Sequence, residues 1–193
     1  MKQYHIRRTG RGVQVEVREE VEITHFHTLF PGSSAPETEQ KYRTVVYPLV
    51  DLNDAGFEYG YLGGGPGNLA LAILANYLGE SNATKDELYR GVLLSGALRM
   101  GFKEDFIATM NKEKDHHLLS EDAIRGWMRM VHPRINEAEY KEQRDQYRLN
   151  LYRYNRLTDI LENTSNPSLQ KEWDVLLEET SAYESWIQEI GSG

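Results

Sequence analysis

The chain has 193 residues, a formal net charge of −8 from 30 acidic and 22 basic residues, and no cysteine. A chain of this length can bury enough apolar surface to fold without a disulfide or a structural metal. The acidic balance argues against a general nucleic-acid binder, and the lack of cysteine excludes disulfides and thiolate zinc sites. The apolar stretches are too short to cross a membrane, and no secretion signal is recognised. We therefore expect a soluble cytoplasmic protein.

The N-terminal region alternates apolar and polar residues, as a half-buried sheet does. A β-hairpin is predicted over residues 3–20, with Gly10 and Gly12 in its turn. The alternation continues towards Phe26, which predicts a further strand or an extension of the second one.

Two segments with different composition follow the hairpin. Residues 30–39 are polar and contain two prolines, which predicts a loop. Residues 42–50 return to strand composition. Pro48 lacks a backbone donor, so we expect this strand to lie at a sheet edge or to bend.

The clearest local signal is a strand, a glycine turn and a helix in succession. Residues 57–62 predict a short aromatic strand, residues 63–68 a glycine-rich turn, and residues 69–78 a helix that ends at Gly79. Pro66 suits the first turn of a helix, where its missing N–H removes no hydrogen bond.

The rest of the chain has helical periodicity. Residues 86–110 predict one or two helices, and Ser120 is the predicted N-cap of a short helix. Residues 137–162 and 169–190 carry aromatic and apolar residues at heptad spacing, which indicates an antiparallel helical hairpin.

Together these elements predict an α+β fold. It consists of a small antiparallel sheet with a strand–glycine turn–helix unit, followed by a C-terminal antiparallel helical hairpin. The predicted domains are an α+β domain over residues 1–132 and the hairpin over residues 133–190.

The glycine turn is a candidate anion site, because consecutive backbone N–H groups at a helix N-terminus suit a phosphate or a carboxylate. The predicted ligand-binding residues are Gly63, Gly64, Gly65, Gly67 and Asn68. The alternative is that the glycines only let helix and strand pack closely. A dinucleotide-binding oxidoreductase is disfavoured, because Asn68 stands where the last glycine of G-x-G-x-x-G belongs and no second strand ending in an acid follows.

The histidines do not indicate a metal or a catalytic site. His25 and His27 share one face of a strand, and His116 and His117 are adjacent, but no third ligand joins either pair at a recognisable spacing. No nucleophile elbow and no distinctive acid pair is present. We expect no catalytic residue, no metal and no cofactor, and a chain that is not an enzyme.

Tyrosine and arginine alternate densely in the first helix of the predicted hairpin. Both residue types are favoured at protein interfaces. The predicted partner-binding residues are Tyr147, Arg148, Tyr152, Arg153 and Arg156. The heptad row of tyrosines predicts a buried side, and Tyr152 lies off that row, which predicts an exposed face. A homodimer and a different partner both remain open.

Residues 57–79 read F-E-Y-G-Y-L-G-G-G-P-G-N-L-A-L-A-I-L-A-N-Y-L-G. They resemble the signature of a small uncharacterised family, roughly F-E-W-G-Y-G-G-S-G-P-x-x-L-A-L-A-I-L-A-x-x-L-G. Residues 4–15 and 119–124 are similar to that family's opening hairpin and closing helix. In this chain Leu62 is inserted before the glycines.

The resemblance covers about residues 1–20 and 56–131, with residues 21–55 as an insertion and 133–193 as an addition. The family occurs in bacteria, phages and other mobile elements, so the resemblance implies such a setting and the cytoplasm of a bacterial host. It brings no established activity.

Two hypotheses follow for the function. The first is a non-enzymatic phage or mobile-element protein that binds and inhibits a host defence protein, as an anti-CRISPR protein does. The alternative is a small-ligand binder that holds or sequesters a nucleotide-like phosphate ligand at residues 63–68. An enzyme is the third and least supported hypothesis.

Overall fold

The computed structural model describes residues 1–25, 39–52, 56–89 and 91–191. In these residues the chain forms a four-stranded antiparallel sheet and six α-helices, the last two of which are a helical pair. The predicted α+β fold with a C-terminal helical hairpin is confirmed. The loop predicted over residues 30–39 lies, except for its last residue, outside the described part of the chain, as does Phe26.

The sheet has the strand order β3-β2-β1-β4. Its strands are β1 (Lys2–Thr9), β2 (Gly12–His25), β3 (Glu39–Pro48) and β4 (His116–Ser120). β1 and β2 form the predicted hairpin, in which Gly12 has the left-handed φ of 105° and Gly10 does not. β3 lies at a sheet edge, as predicted for the strand that contains Pro48, but it spans Glu39–Pro48 rather than residues 42–50. β4, at the other edge, is not expected from the sequence.

The register of the sheet gives it one buried face. Tyr4 pairs with Val17 and Ile6 pairs with Val15, so these four side chains point to the same side, and all are buried. They pack in one core with the helices. On the opposite face the ring of His5 stacks on the ring of His116, with 5.6 Å between the centroids.

Helices of the middle of the chain cover the buried face of the sheet. They are α1 (Gly64–Tyr77), α2 (Lys85–Tyr89), α3 (Leu94–Phe102) and α4 (Glu121–Val131), and a π-helical turn (Lys103–Ile107) continues α3. α1 is buried along most of its length and ends before Gly79, whose φ is 72°. α4 begins at the predicted N-cap, where the Ser120 hydroxyl accepts a hydrogen bond from the Ala123 N–H at 3.2 Å.

α5 (Glu137–Leu161) and α6 (Pro167–Gly191) form the predicted helical hairpin. Its two helices meet through aromatic stacking, since the rings of Tyr147 and Tyr183 lie 4.3 Å apart. None of the helices in the described ranges combines the length and the apolar character needed to span a membrane.

The hairpin packs on the rest of the chain through a buried polar network. Glu80, just beyond α1, is fully buried and accepts hydrogen bonds from the Tyr140 hydroxyl of α5 and from the Ser95 N–H of α3. The Arg144 guanidinium of α5 donates to the carbonyl oxygens of Leu78 and Gly79 at 2.8 and 3.2 Å. These bonds tie α5 to the end of α1. The predicted division into two domains at residues 132 and 133 stays a prediction.

Candidate functional site

The glycine segment, residues 63–68, is the first turn of α1 rather than a turn that precedes it. α1 begins at Gly64, with Gly63 as an N-cap in extended conformation. The aromatic residues before it form no regular strand, and Phe57 makes only an isolated bridge to Val13. The helix was predicted to begin at residue 69, and it begins five residues earlier, at Gly64. From Gly64 onward the glycine run itself has helical backbone conformation. Pro66 lies in the first turn, as predicted.

The glycines differ in the space around them. A Cβ on Gly65 would lie 2.8 Å from the Cβ of Glu58, and a Cβ on Gly63 would overlap the ring of Tyr61. Gly64 has no neighbour within 4 Å of its Cβ position and is exposed. The packing explanation therefore holds for Gly65, whose Cβ would meet the Cβ of Glu58, while Gly64 leaves an open surface at the end of the helix.

The backbone at this end of α1 has free donors. The first helical hydrogen bond runs from the Gly67 N–H to the Gly63 carbonyl at 3.1 Å, so the N–H groups of Gly64 and Gly65 have no acceptor within the helix. Among the described residues no side chain caps the helix, and its first turn contains no acidic residue. The positive end of the helix dipole is thus left without an anionic group from its own first turn.

Lys103 lies against the same turn. The residue as a whole is 7% exposed, and its Cδ lies 3.9 Å from the Cβ position of Gly67. The ammonium nitrogen contacts the thioether sulfur of Met100 at 3.5 Å, and it forms no ion pair with any described residue. The methylene stem of the lysine therefore covers part of the first turn of α1.

Asn68, the fifth predicted ligand-binding residue, makes a structural hydrogen bond. Its side-chain amide donates to the carbonyl of Gly56 at 3.3 Å, which holds the preceding segment against α1. Arg8 of β1 forms an ion pair with Glu58 at 3.0 Å and lies over the ring of Tyr59. Glu58, whose Cβ lies beside Gly65, is therefore already paired through its carboxylate.

The structure separates the five predicted partner-binding residues. Tyr147 is buried, stacks on Tyr183 and donates a hydrogen bond to Glu184 at 2.8 Å. Its assignment to a partner surface is corrected, because its position in the heptad row turns it towards α6. Arg148 lies on the side of α5 that faces α2, where its guanidinium is 3.5 Å from Glu87.

The other three predicted residues lie on one exposed face of α5, which we call the α5 outer face. It comprises Leu149, Tyr152, Arg153, Arg156 and Ile160. Spacings of three, four and seven residues place these side chains on one stripe of the helix, opposite its buried side. Leu149 and Ile160 were not predicted, although the same helical spacing indicates them once Tyr152 is known to be exposed.

The charges on the α5 outer face are only partly compensated. Arg153 forms an ion pair with Glu172 of α6 at 2.6 Å, and both side chains are about half exposed. Arg156 forms no ion pair with any residue that the structure describes. The face is therefore locally basic on a chain with a net charge of −8.

The histidines that the structure describes form no metal site. His116 and His117 point to opposite faces of β4, as neighbours on a strand do, and His117 lies edge-on to Tyr59. His27 and the side chain of His25 lie outside the described residues. Within the ranges that the structure describes, no three His, Asp or Glu side chains lie close enough together to hold a metal ion.

The chain belongs to a family of unknown function, DUF6166, whose model matches residues 32–130. This confirms the predicted resemblance to an uncharacterised family with partial coverage. The match includes residues 32–55, which the sequence suggested as an insertion, whereas residues 1–20 and the helical hairpin lie outside it. No curated protein and no solved structure matches the chain.

Proposed function

Starting from a family without an assigned function, we propose that the chain is a non-enzymatic binding protein that inhibits a component of a host defence system through its α5 outer face. The observation that carries the proposal is the exposure of large apolar side chains on that face. Leu149 is 52% exposed, Tyr152 61% and Ile160 40%. An apolar stripe of this kind on a helix that also carries arginines is typical of a protein interface.

The face defines the chemistry of the partner. Tyr152 and its apolar neighbours fit a partner surface with an apolar centre, where aromatic side chains contribute most to binding. Arg156 and Arg153 at the same stripe favour carboxylates around that centre. The partner is therefore a protein surface with an apolar patch and an acidic rim.

The choice of a defence component has a different basis. It rests on the setting in bacteria, phages and mobile elements that the sequence resemblance implies, while the geometry supplies only the docking surface. The hairpin also lies outside the family match, so we infer that it adds a partner-specific surface to a shared α+β unit.

The proposal is tested by inhibition in cells. The chain is expressed in a bacterium with a defined CRISPR system that restricts a phage, and the plating efficiency of the phage is measured. We expect the wild type to restore plating and the double variant Tyr152→Gln/Ile160→Gln to lose this effect.

The matched control is Met130→Gln, which changes an apolar residue of α4 that is even more exposed, at 75%. This variant should inhibit as the wild type does, and circular dichroism should show that all three proteins are folded. If the double variant restores plating as well as the wild type, or if the wild type has no effect on any defence system tested, the proposal is wrong.

A further inference from the structure

A groove runs along the helical hairpin between α5 and α6, and no residue of the α5 outer face lines it. Its volume is about 900 Å³, which is within the range of small-molecule sites. On α5 the lining extends from Glu139 to Asn150, which is about 16 Å at 1.5 Å per residue. The groove therefore suits an elongated ligand.

The walls of the groove are acidic. Glu139 and Glu142 of α5 face it from one side and Glu179 of α6 from the other, and none of its described lining residues is a lysine, an arginine or a histidine. None of the three carboxylates forms an ion pair with a residue that the structure describes. Their charges repel one another, and a bound cation with several charged groups would remove this repulsion.

The amide side chains of the groove direct their donors at neighbouring residues. Gln143 donates to Glu139 at 3.2 Å, and Gln146 donates to Asn150 at 2.8 Å. Asn150, which is 5% exposed, donates in turn to Glu179 across the two helices at 2.8 Å. Each amide thus spends a donor within the groove, while the carboxylates keep oxygens that accept from a ligand. This arrangement favours a ligand rich in donors.

The inner side of the groove is aromatic. Tyr147, Tyr183 and Trp186 line it; the two tyrosines are buried and the indole is half-buried. The ring centroids of Tyr183 and Trp186 lie 5.8 Å apart. Aromatic rings attract ammonium groups through their faces and pack against the methylene groups between such charges. An inorganic cation would leave these rings uncovered.

We propose that this groove binds an aliphatic polyamine. The ammonium groups of the ligand donate to the carboxylates of Glu139, Glu142 and Glu179, and its methylene segments lie on the aromatic side chains. A linear polyamine combines the three properties that the groove selects, since it is elongated, carries several separated positive charges, and offers only donors at each charge.

The test is a titration of the full-length, isotopically labelled chain with spermidine at constant ionic strength, followed through the NMR signals of the tryptophan indole N–H groups. Trp186 lines the groove, whereas Trp127 bonds to Asp105 and Trp173 stacks on Tyr154. Spermidine should shift the Trp186 signal saturably and leave the other two signals in place.

A second cation separates recognition of the chain from attraction of charge. Hexaamminecobalt(III) has the same charge as spermidine and N–H donors, but no methylene groups. It should bind at least about tenfold more weakly, because burial of two methylene groups is worth about this factor.

Two double variants locate the site. Glu142→Gln/Glu179→Gln removes one charge from each wall and keeps an acceptor for Asn150, and it should weaken spermidine binding by about tenfold or more. The matched control is Asp159→Asn/Glu178→Gln, which makes the same change of net charge at exposed positions of α5 and α6 outside the groove lining. It should change the affinity by less than about twofold.

A third variant blocks the groove without removing an acid. Ala182→Lys places an ammonium group at an exposed position of the lining, so it should also weaken spermidine binding by about tenfold or more. This variant decides the test if the double variant of the groove does not fold.

The double variant of the α5 outer face should bind spermidine normally, so this proposal and the proposed function fail separately. The polyamine site is overturned if spermidine causes no saturable shift of the Trp186 signal or if hexaamminecobalt(III) binds as tightly. It is also overturned if folded groove variants bind spermidine as the control variant does.

Discussion

The hydroxyl of Tyr140 in α5 donates a hydrogen bond to a carboxylate oxygen of Glu80, the buried residue that follows α1. The same hydroxyl accepts a hydrogen bond from the Leu94 N–H of α3 at 3.1 Å. One phenol therefore joins the helical hairpin to two helices of the α+β unit. The hairpin carries the proposed docking surface. This contact therefore helps to hold that surface in position relative to α1 and α3.

Removing the Tyr140 hydroxyl tests this attachment. We expect Tyr140→Phe to lower the free energy of unfolding by about 1–3 kcal/mol, because one oxygen of the buried Glu80 carboxyl and the buried Leu94 N–H each lose their hydrogen bond to the hydroxyl. Urea denaturation measures the change. The control is Tyr154→Phe, whose hydroxyl bonds to no described residue and which should cost less than about 0.5 kcal/mol. Equal costs for the two variants would contradict the role of Tyr140.

Glu80 should make stability depend on pH. Burial raises the pKa of its carboxyl above the ordinary value of 4.5. The folded state then holds a proton that the unfolded state has released, so the stabilisation is complete below about pH 4.5 and is lost as the pH rises through the raised pKa. Glu80→Gln cannot ionise. Its stability relative to the wild type should therefore increase as the pH rises above 4.5.

This prediction is checked by denaturation of both proteins at several pH values between 4 and 8. A stability difference between Glu80→Gln and the wild type that stays constant with pH, or that favours the wild type more as the pH rises, would show that the carboxyl is not protonated in the folded chain.

Adjacent glycines at the start of α1 should respond in opposite directions to alanine. Gly64→Ala adds a methyl group in open space and should raise the free energy of unfolding by up to about 1 kcal/mol, because alanine is the better helix former. Gly65→Ala brings a Cβ to 2.8 Å from the Cβ of Glu58 and should cost about 1–3 kcal/mol. Thermal unfolding measures both. The same sign for both variants would contradict the packing described for Gly65.

Arg144 closes the C-terminal end of α1 from a different helix. Its side chain is buried and donates to the carbonyls of Leu78 and Gly79, so Arg144→Met should cost about 1.5–3 kcal/mol. Arg153→Met serves as the control, because the ion pair with Glu172 is exposed and contributes at most about 1 kcal/mol. If Arg144→Met and Arg153→Met lower the denaturation midpoint equally, the buried hydrogen bonds of Arg144 contribute no more to stability than the exposed ion pair.

The regular elements could be predicted because their signals are local. The alternation in β1 and β2 and the heptad rows of α5 and α6 are set by the period of each element. β4 gives no such signal, because His116 and His117 become strand residues only by pairing with β1. The weak helix propensity of glycine predicts a turn over residues 63–68, whereas in the structure the helix already begins at Gly64.

The candidate site residues, too, could be predicted where the signal is local and not where it depends on tertiary contacts. The exposure of Tyr152 could be predicted, since it lies off the row of core residues. The same row predicts that Tyr147 is buried. The density of tyrosine and arginine around Tyr147 instead predicts a partner-binding residue, and this second prediction is the wrong one. Lys103 could not be connected with the glycine segment from the sequence, because the two are close only after α3 packs on α1.

The most direct test of the central claim places a photoreactive benzoylphenylalanine at Tyr152, and in a parallel protein at Met130, in cells whose CRISPR system the chain inhibits. The proposed docking surface predicts that irradiation links the Tyr152 position to a subunit of that defence system, identified by mass spectrometry, and that the Met130 position gives no such product. A defence subunit linked only from Met130, or from neither position while inhibition persists, would contradict it.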